Sequence, residues 1–381
     1  MKNPVSILHL ASFQGNIGDV LNHLSFRDWF AGLLDRPIEW NDLEIRGYFR
    51  RKWEFDTGFI ELANQHDLVV IGGGNFLETW PTRSRSGTSI DLTVEDFRSL
   101  HSPVLINSMG VDTEQGISNA ARDQLPPLLD YLTCSGRTLL SVRNDGAMET
   151  LRSFVGQEVI EKVVDLPDAV FFVPGLKRHN PPKLVIGVNL ACDMPEKRFS
   201  TVGRSQFVGA LVEALEKILL ADTEACLRLV PHMYSDFSIL AELLERLPDE
   251  IRRERIEFHG YAPGIPAARQ IAEAYAGCSV VLANRFHSAV IPVGMSVPTV
   301  GISNYPQMSK LFRDLQLLDF LVDGHNPLNL STRISAALER ATSVDYVGHF
   351  ETTRRVLQSR RTAASSRIQL WLSEVLADTK L

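Results

Sequence analysis

The sequence predicts an α/β protein with two doubly wound parallel-sheet domains. Three observations carry that reading. The chain has 381 residues, and at roughly 100–200 residues per domain this length suits two domains or one large one. Short apolar runs alternate with amphipathic stretches from end to end, as in repeated strand–helix–strand units. A segment punctuated by Pro and Gly, running from Pro174 to Pro182, interrupts the pattern near the middle, and a fresh strand follows it.

The strands come first. Val5–Ala11, Leu68–Ile71, Val104–Met109 and Leu139–Val142 precede the break, and Leu184–Asn189, Cys226–Val230, Val280–Ala283 and Thr299–Ile302 follow it. Each is a short, mainly apolar run, the mark of a strand buried on both faces. Helical patterns fill the intervals. Asp19 is placed to cap Val20–Leu34, and Thr93 with Asp96 reads as a capping box. Ser118 opens a helix ending near Tyr131, and Asn144 is placed to cap one through Phe154. Ser205–Leu220, Ser235–Leu247 and Pro266–Ala276 repeat the pattern after the break, and the chain is helical beyond Leu330. The last helix, Tyr346–Ala377, is too long to bury its apolar face on one domain and is expected to pack back across the N-terminal half. The expected division is residues 1–175, residues 183–342, and a crossing helix over residues 343–381. The two domains are expected to face each other across a cleft, with ligand loops at the carboxyl ends of the strands.

Composition narrows the function classes. Apolar residues make up 44% of the chain, enough to offset the ordering entropy of a folded core, so extensive disorder is excluded. The net charge of −7 argues against general nucleic-acid binding, which relies on clustered Lys and Arg. A local basic pocket for a small anion stays open. Cys134, Cys192, Cys226 and Cys278 form no CxxC pair and read as buried free thiols. The first eleven residues suit no signal peptide and no window suits a membrane span, so a cytoplasmic protein is expected. Arg354, Arg355, Arg360, Arg361 and Arg367 on the last helix read as a solvated face, with docking to an anionic membrane surface as the sharper alternative.

Six stretches could carry chemistry, each at a strand-to-helix turn. Gly15-Asn16-Ile17-Gly18-Asp19 lets backbone approach an anion at a helix start, and equally suits a tight turn capped by Asp19. Gly72-Gly73-Gly74-Asn75 strips side chains from a loop after a buried strand and offers N–H groups to phosphate or carboxylate. Arg143 ends the next strand but one; its guanidinium can grip an oxyanion or pair with Asp145 or Glu149. His232 can contact an anion or hydrogen-bond within its turn. Arg285, His287 and Ser288 converge at one strand end, joining a fixed charge to a group that moves protons near neutral pH. Tyr305 lies in the polar loop after the last predicted strand and could line the cleft.

Taken in order, these stretches resemble the polysaccharide pyruvyl transferase family. The residues that carry the resemblance are Gly15-Asn16-Ile17-Gly18-Asp19, Gly72-Gly73-Gly74-Asn75-Phe76-Leu77, Ser141-Val142-Arg143, Asp165-Leu166-Pro167-Asp168-Ala169, Pro231-His232 and Arg285-Phe286-His287-Ser288. The match runs roughly from Ile7 to Phe320, and the ordered set is specific although no single motif is. The resemblance implies a two-domain fold like that of GT-B glycosyltransferases, with the acceptor on the first domain and the donor on the second. It implies transfer of the enolpyruvyl carbons of phosphoenolpyruvate to two hydroxyls of one sugar, forming a cyclic ketal and releasing phosphate. In that reading Arg285 and Arg143 bind the donor's anionic groups, helped by N–H groups of Gly72–Gly74, and His287 protonates its methylene carbon. Asn16, Gly18, Asp19, Asn75, His232, Ser288 and Tyr305 complete the substrate contacts. Phosphoenolpyruvate enters as substrate, with no further cofactor and no metal. The partner is a sugar or lipid-linked glycan, and attachment at the inner face of a membrane and oligomerisation stay open. Two other readings remain: a nucleotide-sugar glycosyltransferase on the same architecture, and a non-catalytic relative that binds a glycan or a partner protein.

Overall fold

The computed structural model describes residues 3–343 and 346–377. In the first half the strands are β1 (Val5–Ala11), β2 (Ile38–Glu44), β3 (Leu68–Gly72), β4 (Leu77–Glu78), β5 (Val104–Met109), β6 (Val111–Asp112), β7 (Thr138–Val142) and β8 (Val164–Asp165). Six of them form one parallel sheet in the order β2-β1-β3-β5-β7-β8, and β4 pairs with β6 separately. The second half adds β9 (Val185–Val188), β10 (Cys226–Leu229), β11 (Ile256–Phe258), β12 (Val280–Ala283), β13 (Thr299–Ser303) and β14 (Leu321–Asp323). They form a second parallel sheet in the order β11-β10-β9-β12-β13-β14. Every residue of β3, β5, β9, β12 and β13 is buried, so their apolar runs match strands covered on both faces.

Two compact units divide the chain. One takes Met1–Phe13, Asn22–Ala169 and Leu357–Leu381, and the other takes Gln14–Leu21 and Val170–Val356. The Gly15–Asp19 turn is therefore counted with the second unit although it follows the first strand. The Pro174–Pro182 segment lies a few residues inside the second unit, which resumes at Val170.

The last helix, Tyr346–Val375, contributes to the first unit's core. Ala364, Ile368, Trp371 and Leu372 pack with Val5, Ile7, Phe26, Phe30, Leu68 and Val70. Burying each large side chain is worth about 1.5–3 kcal/mol. Polar contacts fix the register of this stretch. Trp371 Nε1 donates to the Gly136 carbonyl at 2.9 Å, and Arg360 grips Asp165 with two bonds of 2.7 and 2.8 Å. Arg367 donates to the carbonyls of Val163 and Lys162. Arg360 and Arg367 thus anchor the helix, which corrects the reading of all five arginines as a solvated face; Arg355 does pair along the helix, with Glu351. Among the described residues, no helix is long and apolar enough to cross a membrane.

Local corrections follow from competing contacts. The first helix is Ile17–Ala31, so Asp19 lies inside its first turn. Asn16 does the capping, its Oδ1 accepting from Gly18 N at 3.0 Å. Asn144 caps nothing, because its Oδ1 instead accepts from Asp168 N and the short helix Ala147–Leu151 starts after Gly146. Thr93 and Asp96 form the expected capping box, and Ser118 caps Asn119–Cys134. Cys226 and Cys278 are buried free thiols, whereas Cys134 is exposed and Cys192 half-buried.

Candidate functional site

The predicted residues fall into two clusters, one in each unit. In the second unit, β12 ends at Ala283 and the buried helix Phe286–Gly294 begins two residues beyond Asn284. Ser288 Oγ accepts from Arg285 N at 3.0 Å and donates to Arg285 O at 2.8 Å, locking the turn. Ser288 is therefore spent on backbone. The lock sets the direction of Arg285, whose side chain reaches Asp236 at the start of the next-door helix Asp236–Arg246. Arg285 Nε donates to Asp236 Oδ2 at 2.9 Å, and Nη2 meets both Asp236 Oδ1 and Asp193 Oδ1, the latter at 2.7 Å. Burial opposes the guanidinium charge, but the Asp236 and Asp193 carboxylates outweigh it and hold the arginine above its usual range. Nη1 stays outside these contacts.

His287 points to the Gly15–Asp19 turn. Its Nδ1 lies 3.4 Å from Asp19 Oδ1. A Cβ at Gly18 would fall 2.4 Å from the His287 Cβ, so only glycine lets this helix start reach the imidazole. The turn is itself pinned: Ile17 N donates to the His232 carbonyl at 3.2 Å, and Tyr261 Oη to the Gly15 carbonyl at 2.9 Å. A carboxylate 3.4 Å from one ring nitrogen orients the imidazole, and an oriented imidazole is a group able to pass a proton.

His232 is fully buried, its Nε2 lies 2.7 Å from the Tyr275 hydroxyl, and Nδ1 has no hydrogen-bond partner. Burial, reinforced by Arg285, His287 and His259, holds its proton affinity well below the usual histidine range. It is a neutral group within its turn. Its backbone N–H and that of Met233 both donate to Asp236 Oδ2, at 2.9 and 3.1 Å, so the Pro231-His232 turn aims the carboxylate that aims Arg285. Tyr305 is buried beneath Arg198, whose guanidinium carbon lies 5.3 Å from the ring centroid.

The first unit's cluster surrounds Gly110. Asn75 Oδ1, Arg143 Nη2 and Asp145 Oδ2 all lie within 3 Å of where a Gly110 Cβ would be. Arg143 is buried, with Nε donating to Asp145 Oδ2 at 2.7 Å and Nη1 3.7 Å from Asp168 Oδ2. The Asp145 pairing that the sequence leaves open to Arg143 is thus made, and made in the core. Asn22 Nδ2 donates to Asp168 Oδ2 at 2.6 Å, and Asn75 Nδ2 to Asp112 Oδ2 at 2.9 Å. Gly72, Gly73 and Gly74 are buried, and the Gly73 N–H is committed to the Asn107 carbonyl at 2.8 Å. Gly73 has φ of 86°, a left-handed conformation that glycine adopts freely.

Asp236, Asp193, Arg198 and Asp112 were not singled out from the sequence. Asp236 had a signal, an acidic residue four positions after His232 at a helix start. Asp193 and Asp112 had none, because only the sheet packing brings them to Arg285 and Asn75.

The fold is similar to that of a glycosyltransferase from Rickettsia africae, at 11% identity over 98% of this chain and 99% of that one, with a TM-score of 0.57. It is similar to S. aureus MnaA with UDP, at 10% identity over 98% and 97% of the chains and a TM-score of 0.54. It is similar too to Anabaena HepE in complex with UDP and glucose, at 13% identity over 97% and 100% and a TM-score of 0.50. At such identities the likeness shows the fold alone, which is GT-B-like. No curated protein sequence matches the chain. Residues 16–305, which hold both clusters, match the family described as polysaccharide pyruvyl transferase, and the chain belongs to that family.

Proposed function

We propose that this transferase moves the enolpyruvyl group of phosphoenolpyruvate onto two hydroxyls of a sugar in a polysaccharide or glycolipid precursor, forming a pyruvate ketal. The observation that carries the reading is His287, held between Asp19 and Gly18 two residues from the clamped Arg285. A fixed cation beside an oriented proton donor suits an anionic substrate that must be protonated on carbon.

Arg285 binds an anionic group of the donor through Nη1 while Asp236 and Asp193 hold its orientation. His287 gives its proton to the methylene carbon, leaving a methyl group and an oxocarbenium centre at C2. One sugar hydroxyl adds to C2, the bond from C2 to the phosphate oxygen breaks, and the second hydroxyl closes the ring. Of the two hydroxyl protons, one restores His287 and the other leaves with phosphate as hydrogenphosphate. Asp19 keeps the imidazole aimed throughout.

The test is incubation with phosphoenolpyruvate and a panel of free, nucleotide-linked and lipid-linked sugars, reading phosphate release and ketal formation. Release with at least one sugar, lost in His287→Ala with the fold retained, supports the reading. Full turnover by that variant overturns it. The GT-B-like fold favours one second reading, a nucleotide-sugar glycosyltransferase. Calorimetry separates the two: a nucleotide sugar that binds where phosphoenolpyruvate does not would reverse the order.

A further inference from the structure

The first unit carries a cavity of about 620 Å³ between the segment after β2 and the segment after β4. Its size lies within the range of about 300–1,000 Å³ usual for small-ligand sites. Two tryptophans line it, Trp53 at 50% exposure and Trp80 at 37%. Solvated indoles on one cavity are a costly arrangement unless something covers them.

Both rings are braced from behind. Trp53 lies against Gly47, where a Cβ would fall 2.1 Å from the indole, and its edge meets Tyr48 at 5.6 Å between centroids. Tyr48 in turn stacks on Phe55 at 4.4 Å. Trp80 stands edge-on to Phe49 at 6.5 Å. Rings held this way lose little freedom when a ligand stacks on them.

The rim is mixed in sign. Arg51, Arg83 and Arg85 are matched by Glu54, Asp56 and Asp91. Arg85 is spent on structure, pairing with Asp91 and Asp96 and donating to the Phe55 carbonyl. Asp56 caps the helix Thr57–Ala63. Arg51, Arg83 and Glu54 are exposed. Ser89, also on the lining, donates to the buried Glu78 at 2.6 Å.

We propose that this cavity seats an uncharged saccharide, stacked on Trp53 and Trp80, and that it is the acceptor subsite of the transferase. A pyranose offers a C–H face to the negative face of an indole and a ring of hydroxyls that both donate and accept. The exposed Arg51, Arg83 and Glu54 serve those hydroxyls, and the rim as a whole carries guanidinia and carboxylates in equal number. A nucleotide or phosphoenolpyruvate would need a net positive rim, and a lipid chain would leave the charges unmatched. The subsite rests on the sugar-acceptor reading above, and its test is chosen to stand apart from it.

The test uses the full chain as wild type, Trp53→Ala, Trp80→Ala and the corresponding Trp→Phe variants, with melting curves confirming the fold. Each protein is applied to a printed array of bacterial-type oligosaccharides, with UDP and phosphoenolpyruvate as competitors. The expected result is binding of neutral saccharides that drops tenfold or more in either alanine variant, is largely restored by phenylalanine, and resists both competitors. With a working acceptor, the alanine variants should raise its KM tenfold or more and leave the KM for phosphoenolpyruvate in place. An empty array for the wild type, unchanged binding in both alanine variants, or displacement by UDP would overturn the subsite. If no sugar supports phosphate release yet the array binding depends on the tryptophans, the transferase reading fails and the saccharide site stands.

Discussion

Arg143 and Arg285 are alike in burial and in being held by two carboxylates, and they differ in what stands beside them. Around Arg143 the neighbours are amides, Asn75 and Asn22, which extend the network to Asp112 and Asp168. Around Arg285 the neighbours are imidazoles, His232 and His287, the second tied to Asp19. A clamped guanidinium alone is a rigid frame; joined to an oriented histidine it becomes a place where a proton can be delivered. On the proposed reading the first region holds and the second reacts.

The sharpest way to break that contrast is His287→Ala. General acid catalysis contributes about 10²–10⁴-fold, so phosphate release should fall by that factor with the melting temperature little changed. A loss below tenfold would erase the distinction. The next test sets the two frames against each other. Asp236→Ala and Asp145→Ala each leave a buried guanidinium short of a carboxylate, and each should cost about 3–5 kcal/mol in urea unfolding. The contrast predicts that in any folded fraction only Asp236→Ala also changes turnover beyond what the lost stability explains.

The first region still holds a titrating group. Glu78 and Asp112 are register partners across β4 and β6. Burial, with the Asp112 charge adding to it and the Ser89 hydroxyl opposing it, raises Glu78 from the usual 4.5 to about 7. An acid whose folded value lies above its unfolded value is best tolerated when protonated. Its favourable state is fully present below 4.5 and is lost as pH rises through about 7. Glu78→Gln should therefore hold stability that the wild type loses across that window, by no more than roughly 3 kcal/mol. Urea midpoints at pH 5 and pH 8 measure it. A parallel loss in both proteins would move the proton elsewhere.

How much of this could be read from the sequence depends on how far apart the partners lie. All eight apolar strands form, because burial on both faces writes itself into consecutive residues. β2 leaves no such mark because all its residues are partly exposed at a sheet edge, and Ile38–Glu44 mixes polar with apolar. β8 and β14 are too short to show a pattern. Within the site, Arg285, His287 and Ser288 were legible as one strand-end motif. Their orienting partners are harder: Asp19 reaches His287 only because the Gly15–Asp19 turn packs on the start of the helix Phe286–Gly294, far away in sequence. The sequence offers Asp19 as a helix cap and as a substrate contact; Asn16 takes the cap, and Asp19 lies against His287. The pairing of Glu78 with Asp112 needs the β4–β6 ladder, which two residues on each strand do not announce.

Gly18→Ala probes the contact on which the proposed reaction in the second region depends. The added methyl would sit 2.4 Å from His287 Cβ, so the imidazole or the turn must shift. A displacement near 1 Å costs about 10²-fold in rate. The same change at Gly110 crowds Asn75, Arg143 and Asp145, and should show first as lost stability. If Gly18→Ala lowered stability alone and left the rate per folded molecule intact, His287 would not depend on its placement.

The smallest effect gives the cleanest comparison, because two caps of equal worth serve regions of different kind. Asn16 caps the helix that carries Asp19, and Thr93 caps the helix Val94–Ser99 in the first unit. Replacing either by Ala should cost about 1 kcal/mol, the usual worth of an N-cap side chain. The stability losses should therefore match within the error of urea titration. Their consequences for turnover should not. Losing the Asn16 side chain frees the Gly18 N–H and loosens the turn that sets the 3.4 Å approach of Asp19 to His287. Losing the Thr93 side chain loosens a helix end that touches neither clamp. Asn16→Ala should lower the rate several-fold at a temperature where both variants are fully folded, and Thr93→Ala should leave it unchanged. Equal rates in the two variants would mean that the turn is held by its backbone bonds to His232 and Tyr261 alone.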